Sequence, residues 1–102
     1  MKDNYLYFIR IGEESENLYK IGTTNNIQRR MSQHRRYYEK PVTVLWVSNP
    51  YSKYTALRVE ERTINQWKET EGFYYIRNDR FIIDPSIRRV SVKVRKEWVI
   101  DF

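Results

Sequence analysis

Residues 18–34, LYKIGTTNNIQRRMSQH, put a Lys inside a short apolar run, turn through Gly-Thr-Thr-Asn-Asn, and set an Arg and the chain's single His four positions apart. Residues 18–21 pattern as a short strand that Gly22 ends. Thr24 or Asn25 is placed to cap a helix running to about Tyr38, and Lys40-Pro41 breaks it. At about 100° per residue, Ile27, Met31 and Tyr38 form one apolar stripe. His34 falls within that stripe and Arg30 on its border, whereas Arg29 and Arg36 face the solvated side. Packing alone gives no reason to combine Lys20, Arg30 and His34; a site that handles phosphate does. An isolated His on such a stripe is more often a core residue bonded to a backbone carbonyl, so His34 gains meaning only from its neighbours.

Working outward, Tyr5–Ile11 alternates and is rich in aromatic and β-branched residues, the signature of a strand. An acidic turn over residues 12–17 joins it to the strand at 18–21 as an antiparallel hairpin. Downstream, Val42–Val47 (VTVLWV) is almost wholly apolar, which predicts a central strand covered on both faces. Ser52 then caps a second helix, Lys53–Glu69, and Gly72 stops it. Residues 73–76 make a further short strand. Beyond them Phe81-Ile82-Ile83 is apolar, Asp84-Pro85 turns, and residues 89–95 (RVSVKVR) alternate as an edge strand would. The order β-β-α-β-α-β describes an α/β (α+β) domain with a small mixed, mainly antiparallel sheet of three or more strands flanked by helices. The 102 residues make one domain, with a core over about 5–76 and a basic extension over about 77–102.

The second helix carries the sharper chemical signal. Ala56, Val59, Thr63, Ile64 and Trp67 form its apolar stripe, with Glu60 in the middle and Glu61 well outside. A carboxylate on a core-facing stripe costs several kcal/mol unless it is paired or holds a cation. Pairing with Arg30 or Lys20 is the structural alternative to a site.

Composition removes several function classes. With no Cys, disulfides, thiolate nucleophiles and Cys-type zinc sites are absent, and one His is too few for a His-rich metal centre. Any metal would rest on carboxylate and water, which favours Mg²⁺ or Mn²⁺ over Zn²⁺. No apolar run approaches the roughly 20 residues that span a bilayer. The first ten residues read as a strand rather than a leader, which points to an intracellular protein. The net charge of +6 favours a polyanionic partner. Nine Tyr and three Trp supply large rings for a small core.

Taken together, these residues resemble the GIY-YIG nuclease superfamily, particularly its small phage- and virus-type members. In that family two short motifs on adjacent strands precede an Arg-bearing helix and then a Glu-bearing helix. Tyr5-Leu6-Tyr7 stands for the first motif, with Tyr5 in place of its Gly. Lys20-Ile21-Gly22 stands for the second, with Lys20 in place of its Tyr. The family's Arg, eight residues past that Gly, lands on Arg30, and its frequent His lands on His34. The family's metal-binding Glu, flanked by a small residue four before and an aliphatic four after, corresponds to Glu60 between Ala56 and Ile64. The family's late Asn has its nearest counterpart in Asn78.

The resemblance implies a metal-dependent endonuclease that hydrolyses nucleic-acid phosphodiesters, DNA rather than RNA, leaving 5′-phosphates. Glu60 would hold one Mg²⁺ (Mn²⁺ as substitute), Arg30 would grip the scissile phosphate, and Tyr7 with Lys20 as proton acceptor would activate water. His34 would assist proton transfer or bind the neighbouring phosphate. For substrate grip the candidates are Arg29, Arg35, Arg36, Arg77, Arg80, Arg88, Arg89 and Lys93. Residues 77–96 hold seven basic against two acidic side chains, a net of +5. Such residues hold phosphates at any sequence, so sequence preference should be weak. A non-catalytic module for nucleic acid or an acidic protein on the same fold is the alternative, and a homodimer or protein partner is compatible with either. A third possibility is an interaction protein in which Glu60 only neutralises Arg30.

Overall fold

The computed structural model describes residues 2–86. Five strands, β1 (Tyr5–Ile11), β2 (Leu18–Thr24), β3 (Val42–Val47), β4 (Phe73–Tyr75) and β5 (Arg80–Ile83), form one sheet in the order β3-β1-β2-β5-β4. Two helices, α1 (Ile27–Tyr38) and α2 (Lys53–Glu69), complete an α+β domain. Among the described residues all four strand pairings are antiparallel, in keeping with the small, mainly antiparallel sheet expected. Among the described residues, no helix is long and apolar enough to cross a membrane.

Strand alternation divides the core into two layers. Leu6 and Phe8 of β1 pack with Tyr19 and Ile21 of β2 against Val59, Ile64 and Trp67 of α2. Tyr7, Ile9 and Ile11 turn to the other layer, where Met31 of α1 and Val42 meet them. The stripe expected for α2 is the buried one: Ala56, Val59, Thr63, Ile64 and Trp67 are its buried residues. Ser52 caps this helix as expected, its hydroxyl accepting from the Thr55 amide at 3.3 Å. For α1 the cap is Asn26, one or two residues later than expected, with Oδ1 accepting from the Arg29 amide at 3.0 Å. The shift arises because β2 runs on through Gly22 to Thr24, whose Oγ1 accepts from the Asn26 amide.

Two parts of the sequence reading are corrected. Among the described residues VTVLWV is an edge strand, not a central one, and Val44 is exposed. Its unbroken apolarity has a different cause. The β1–β3 register passes from Phe8↔Trp46 to Ile9↔Val44, skipping Leu45. This bulge interrupts the alternation, so that Leu45 and Trp46 both pack on the α2 layer while Val42 and Val47 serve the α1 layer. The apolar run at 81–83, whose role the sequence leaves open, forms β5. It pairs with β2 on one side and β4 on the other, and Phe81 and Ile83 are fully buried. The alternating stretch at 89–95 lies outside the described residues.

Trp67 anchors the α2 layer, with ring contacts to Phe8, Phe73 and Phe81 at 5.2–5.3 Å between centroids. Trp67→Ala should cost about 3–5 kcal/mol of stability, whereas Val44→Thr on the open edge should stay within about 0.5 kcal/mol. Urea denaturation of both variants measures the contrast.

Candidate functional site

The sheet is incompletely paired beside the second half of β2. β5 reaches back only to Arg80, opposite Lys20, and, among the described residues, 22–24 have no strand partner on that side. The β4–β5 turn closes this end: Arg80 N donates to Arg77 O at 3.2 Å, and Asn78 and Asp79 between them take φ of 54° and 58°. Two consecutive left-handed residues make the tight hairpin turn that Asn and Asp tolerate. Around this gap lies a cleft of about 560 Å³ whose lining includes Tyr7, Lys20, Gly22, Arg30, His34, Glu60, Asn78 and Asp79. Residues from both layers thus share one cavity.

Tyr7 is fully buried and forms the cleft floor. Its hydroxyl lies 2.8 Å from His34 Nε2. The phenol crosses β2 at Gly22, its register partner, where a Cβ would lie 2.3 Å from the Tyr7 oxygen. Only glycine leaves that space. Burial pushes the phenol up to about 12, against the pull of the Arg30 guanidinium. Burial, helped by the charges of Lys20 and Arg30, holds the His34 imidazole down at about 4. His34 is therefore neutral near pH 7, and in the tautomer with Nε2 unprotonated it accepts a hydrogen bond from the Tyr7 hydroxyl. The sequence reading gives Tyr7 the partner Lys20; the structure gives it His34.

The Lys20 ammonium is held instead by the turn, donating to Asn78 O at 2.6 Å. Burial lowers its pKa, partly opposed by Asp79 and Glu60. Glu60 is half-buried while Glu61 is exposed, as the helical faces require. Among the described residues, no ion pair or hydrogen bond joins Glu60 to Arg30 or Lys20. Burial first, then repulsion from Asp79, lifts its carboxyl to about 7, against the attraction of Lys20 and Arg30. No group of three or more His, Asp or Glu comes together among the described residues to hold a metal by itself.

The other expected residues separate by position. Arg29, Arg35, Arg36 and Arg77 are exposed, and Arg29 donates to Asn25 Oδ1. Arg80 is half-buried with its guanidinium 5.5 Å from the Tyr38 ring centre. Tyr5 pairs with Thr24 and does not line the cleft. Asn78 lines it, contributing its backbone carbonyl to Lys20. Arg88, Arg89 and Lys93 lie outside the described residues. Asp79 is the residue that sequence reasoning missed. Its signal was the Asn-Asp pair between two apolar runs, a turn that brings its second acid back to β2.

Fold and cleft define a small α+β domain whose cleft brings Lys20, Arg30 and His34 together with Glu60 and Asp79. A family model for the T5orf172 domain matches residues 4–99, and the chain belongs to that family. The family is phage-associated and related to GIY-YIG and nuclease-like folds, which places the chain among nuclease-like or DNA-binding modules. Searches of curated proteins and of solved structures return no match.

Gly22→Ala should displace the Tyr7 ring from His34 while the sheet persists. Its signature is loss of the Tyr7–His34 contact, read from the His34 ring resonances in an NMR pH titration, with far-ultraviolet dichroism unchanged. The raised Glu60 carboxyl has a second consequence. A carboxyl that titrates near 7 folded and near 4.5 unfolded binds more protons in the folded state between those values, so folding weakens as pH rises through that window. Glu60→Gln should therefore raise the melting temperature at pH 8, with the gain shrinking towards pH 4.5.

Proposed function

We propose that this domain is an endonuclease that hydrolyses nucleic-acid phosphodiesters, DNA in preference to RNA, with a divalent cation and weak intrinsic sequence preference. The observation that carries the reading is the convergence, in one cleft, of Tyr7 and His34 in hydrogen-bond contact, two cations on the rim and an unengaged carboxylate opposite. Each has a role that its chemistry fits. The planar Arg30 guanidinium grips two non-bridging phosphate oxygens at once. Lys20, anchored at Asn78, adds a point charge to the same phosphate. Tyr7, fixed against Gly22, orients the attacking water, and neutral His34 takes up the proton that Tyr7 relays. A bound phosphate would offset the Lys20 and Arg30 charges that help suppress His34, which makes the imidazole a better base when substrate is present.

The donor set fits Mg²⁺ or Mn²⁺ held by few protein ligands and mostly water. Glu60 would be the main ligand, with Asp79 close enough in charge to raise its carboxyl. When bound, the cation supplies charge stabilisation for the departing oxygen. Exposed Arg29, Arg35, Arg36 and Arg77 would hold flanking phosphates without reading bases.

A second reading, a module that binds nucleic acid or an acidic protein without cutting it, is favoured by one observation. Lys20 is committed to a backbone carbonyl and His34 is held near 4, so the phenol has no strong base beside it in the free protein. Incubation with plasmid, single-stranded DNA and RNA in Mg²⁺, Mn²⁺ or EDTA separates the two. Expected is metal-dependent nicking that falls on the order of 100-fold or more in Glu60→Ala and Arg30→Ala and stays largely intact in Glu61→Ala. Salt-sensitive binding without cutting in any metal would establish the module instead.

A further inference from the structure

Three hollows run together along α1. The central cleft shares Thr23 and Arg30 with a hollow of about 470 Å³ that Asn25 and Lys53 also line. At its other end it shares Gln33 and Tyr37 with a shallow hollow of about 290 Å³ completed by Arg36. The cleft thus adjoins one hollow at Arg30 and another at the Tyr37 ring.

That ring is 74% exposed. A lone exposed tyrosine needs no explanation, but this one is held in place. Tyr37 meets Tyr38 edge to face, with centroids 4.9 Å apart and planes at 87°. Tyr38 in turn lies 5.8 Å from the His34 ring, with the Arg80 guanidinium over it. Arg30, His34 and Tyr37 fall at i, i+4 and i+7 on one helix face, so the ring sits about 10 Å along the axis from Arg30. A flat, wet ring braced on its neighbour, with Arg36 lining the same hollow, is a surface on which nucleobases stack. The bases of a continuous duplex cover one another's faces and cannot use it.

We propose that Tyr37 is a stacking platform for an unpaired base beside the phosphate held at Arg30, and that the cleft therefore takes single-stranded nucleic acid, or a single-stranded region within a duplex, in preference to continuous duplex. The inference rests on the cleft being a nucleic-acid site and specifies its substrate. Arg36 and Arg80 serve the phosphates on either side of the stacked base, and Gln33 offers its amide to the base edge.

Fluorescence anisotropy in EDTA, where nothing is cut, tests this with a labelled oligothymidine and a labelled mixed-sequence duplex. Tyr37→Ala should weaken binding of the single strand about 5- to 150-fold, the range of one base–aromatic stack. Tyr37→Phe should retain it. Duplex binding, and the salt dependence of both, should not change, because no charge is lost. Since the ring is exposed, thermal melting of both variants should match that of the wild type. Undiminished single-strand binding by Tyr37→Ala, or an equal loss on strand and duplex, overturns the stack and leaves the cleft's nucleic-acid reading standing. Wild-type protein that binds neither probe overturns that reading and the stack with it.

Discussion

The Glu60 carboxylate is half-buried beside two cations, and among the described residues no ion pair or hydrogen bond joins it to either. In an ordinary core such an acid would be replaced or neutralised, because withdrawing it from water without a partner is costly. Here the neighbouring cations are held elsewhere. Lys20 is tied to the backbone of the Asn78–Asp79 turn, and Arg30 lies on the Tyr7 side of the cleft, near enough to pull on the phenol. The left-handed turn that holds Lys20 also delivers the Asp79 charge that raises Glu60.

The groups of the cleft suppress one another's charge. Burial works against the charged forms of His34, Glu60 and Lys20; Lys20 and Arg30 lower His34 further, and Asp79 raises Glu60 further. Each suppression is relieved by a ligand of a particular sign. An anion at the cations frees His34 to accept a proton; a cation at the acids removes the repulsion between Glu60 and Asp79. On the proposed reading, the cleft would become better charged for chemistry as ligands of both signs enter.

The helices were legible because their evidence is local. The 3.6-residue period placed Glu60 on the buried side and Glu61 outside, and it separated Arg30 from Arg29 in the same way. The cap at Ser52 follows from one hydroxyl before an amphipathic run. What failed depended on contacts distant in sequence. The bulge at Leu45 makes an edge strand look like a central one, because two apolar neighbours face the same layer. The hydrogen-bond contact of Tyr7 was not legible for a similar reason: its ring crosses β2 at Gly22 and ends at His34, on a separate helix. Asp79 was missed because its importance comes from the turn's conformation, not from any pattern around it.

Exposure divides the arginines by task. Arg29, Arg35, Arg36 and Arg77 stand in solvent, where a guanidinium meets phosphate mainly as a screened charge and contributes affinity that salt removes. Arg30 is half-buried, and its charge is felt by Tyr7, Lys20, His34 and Glu60 alike. Less screening and a fixed plane make its contact directional. The exposed set can therefore bring a polyanion to the surface in many registers, while only the phosphate that reaches Arg30 is set against Tyr7 and opposite Glu60. On the proposed reading, burial of Arg30 in the α1 face would then select the phosphate that reacts.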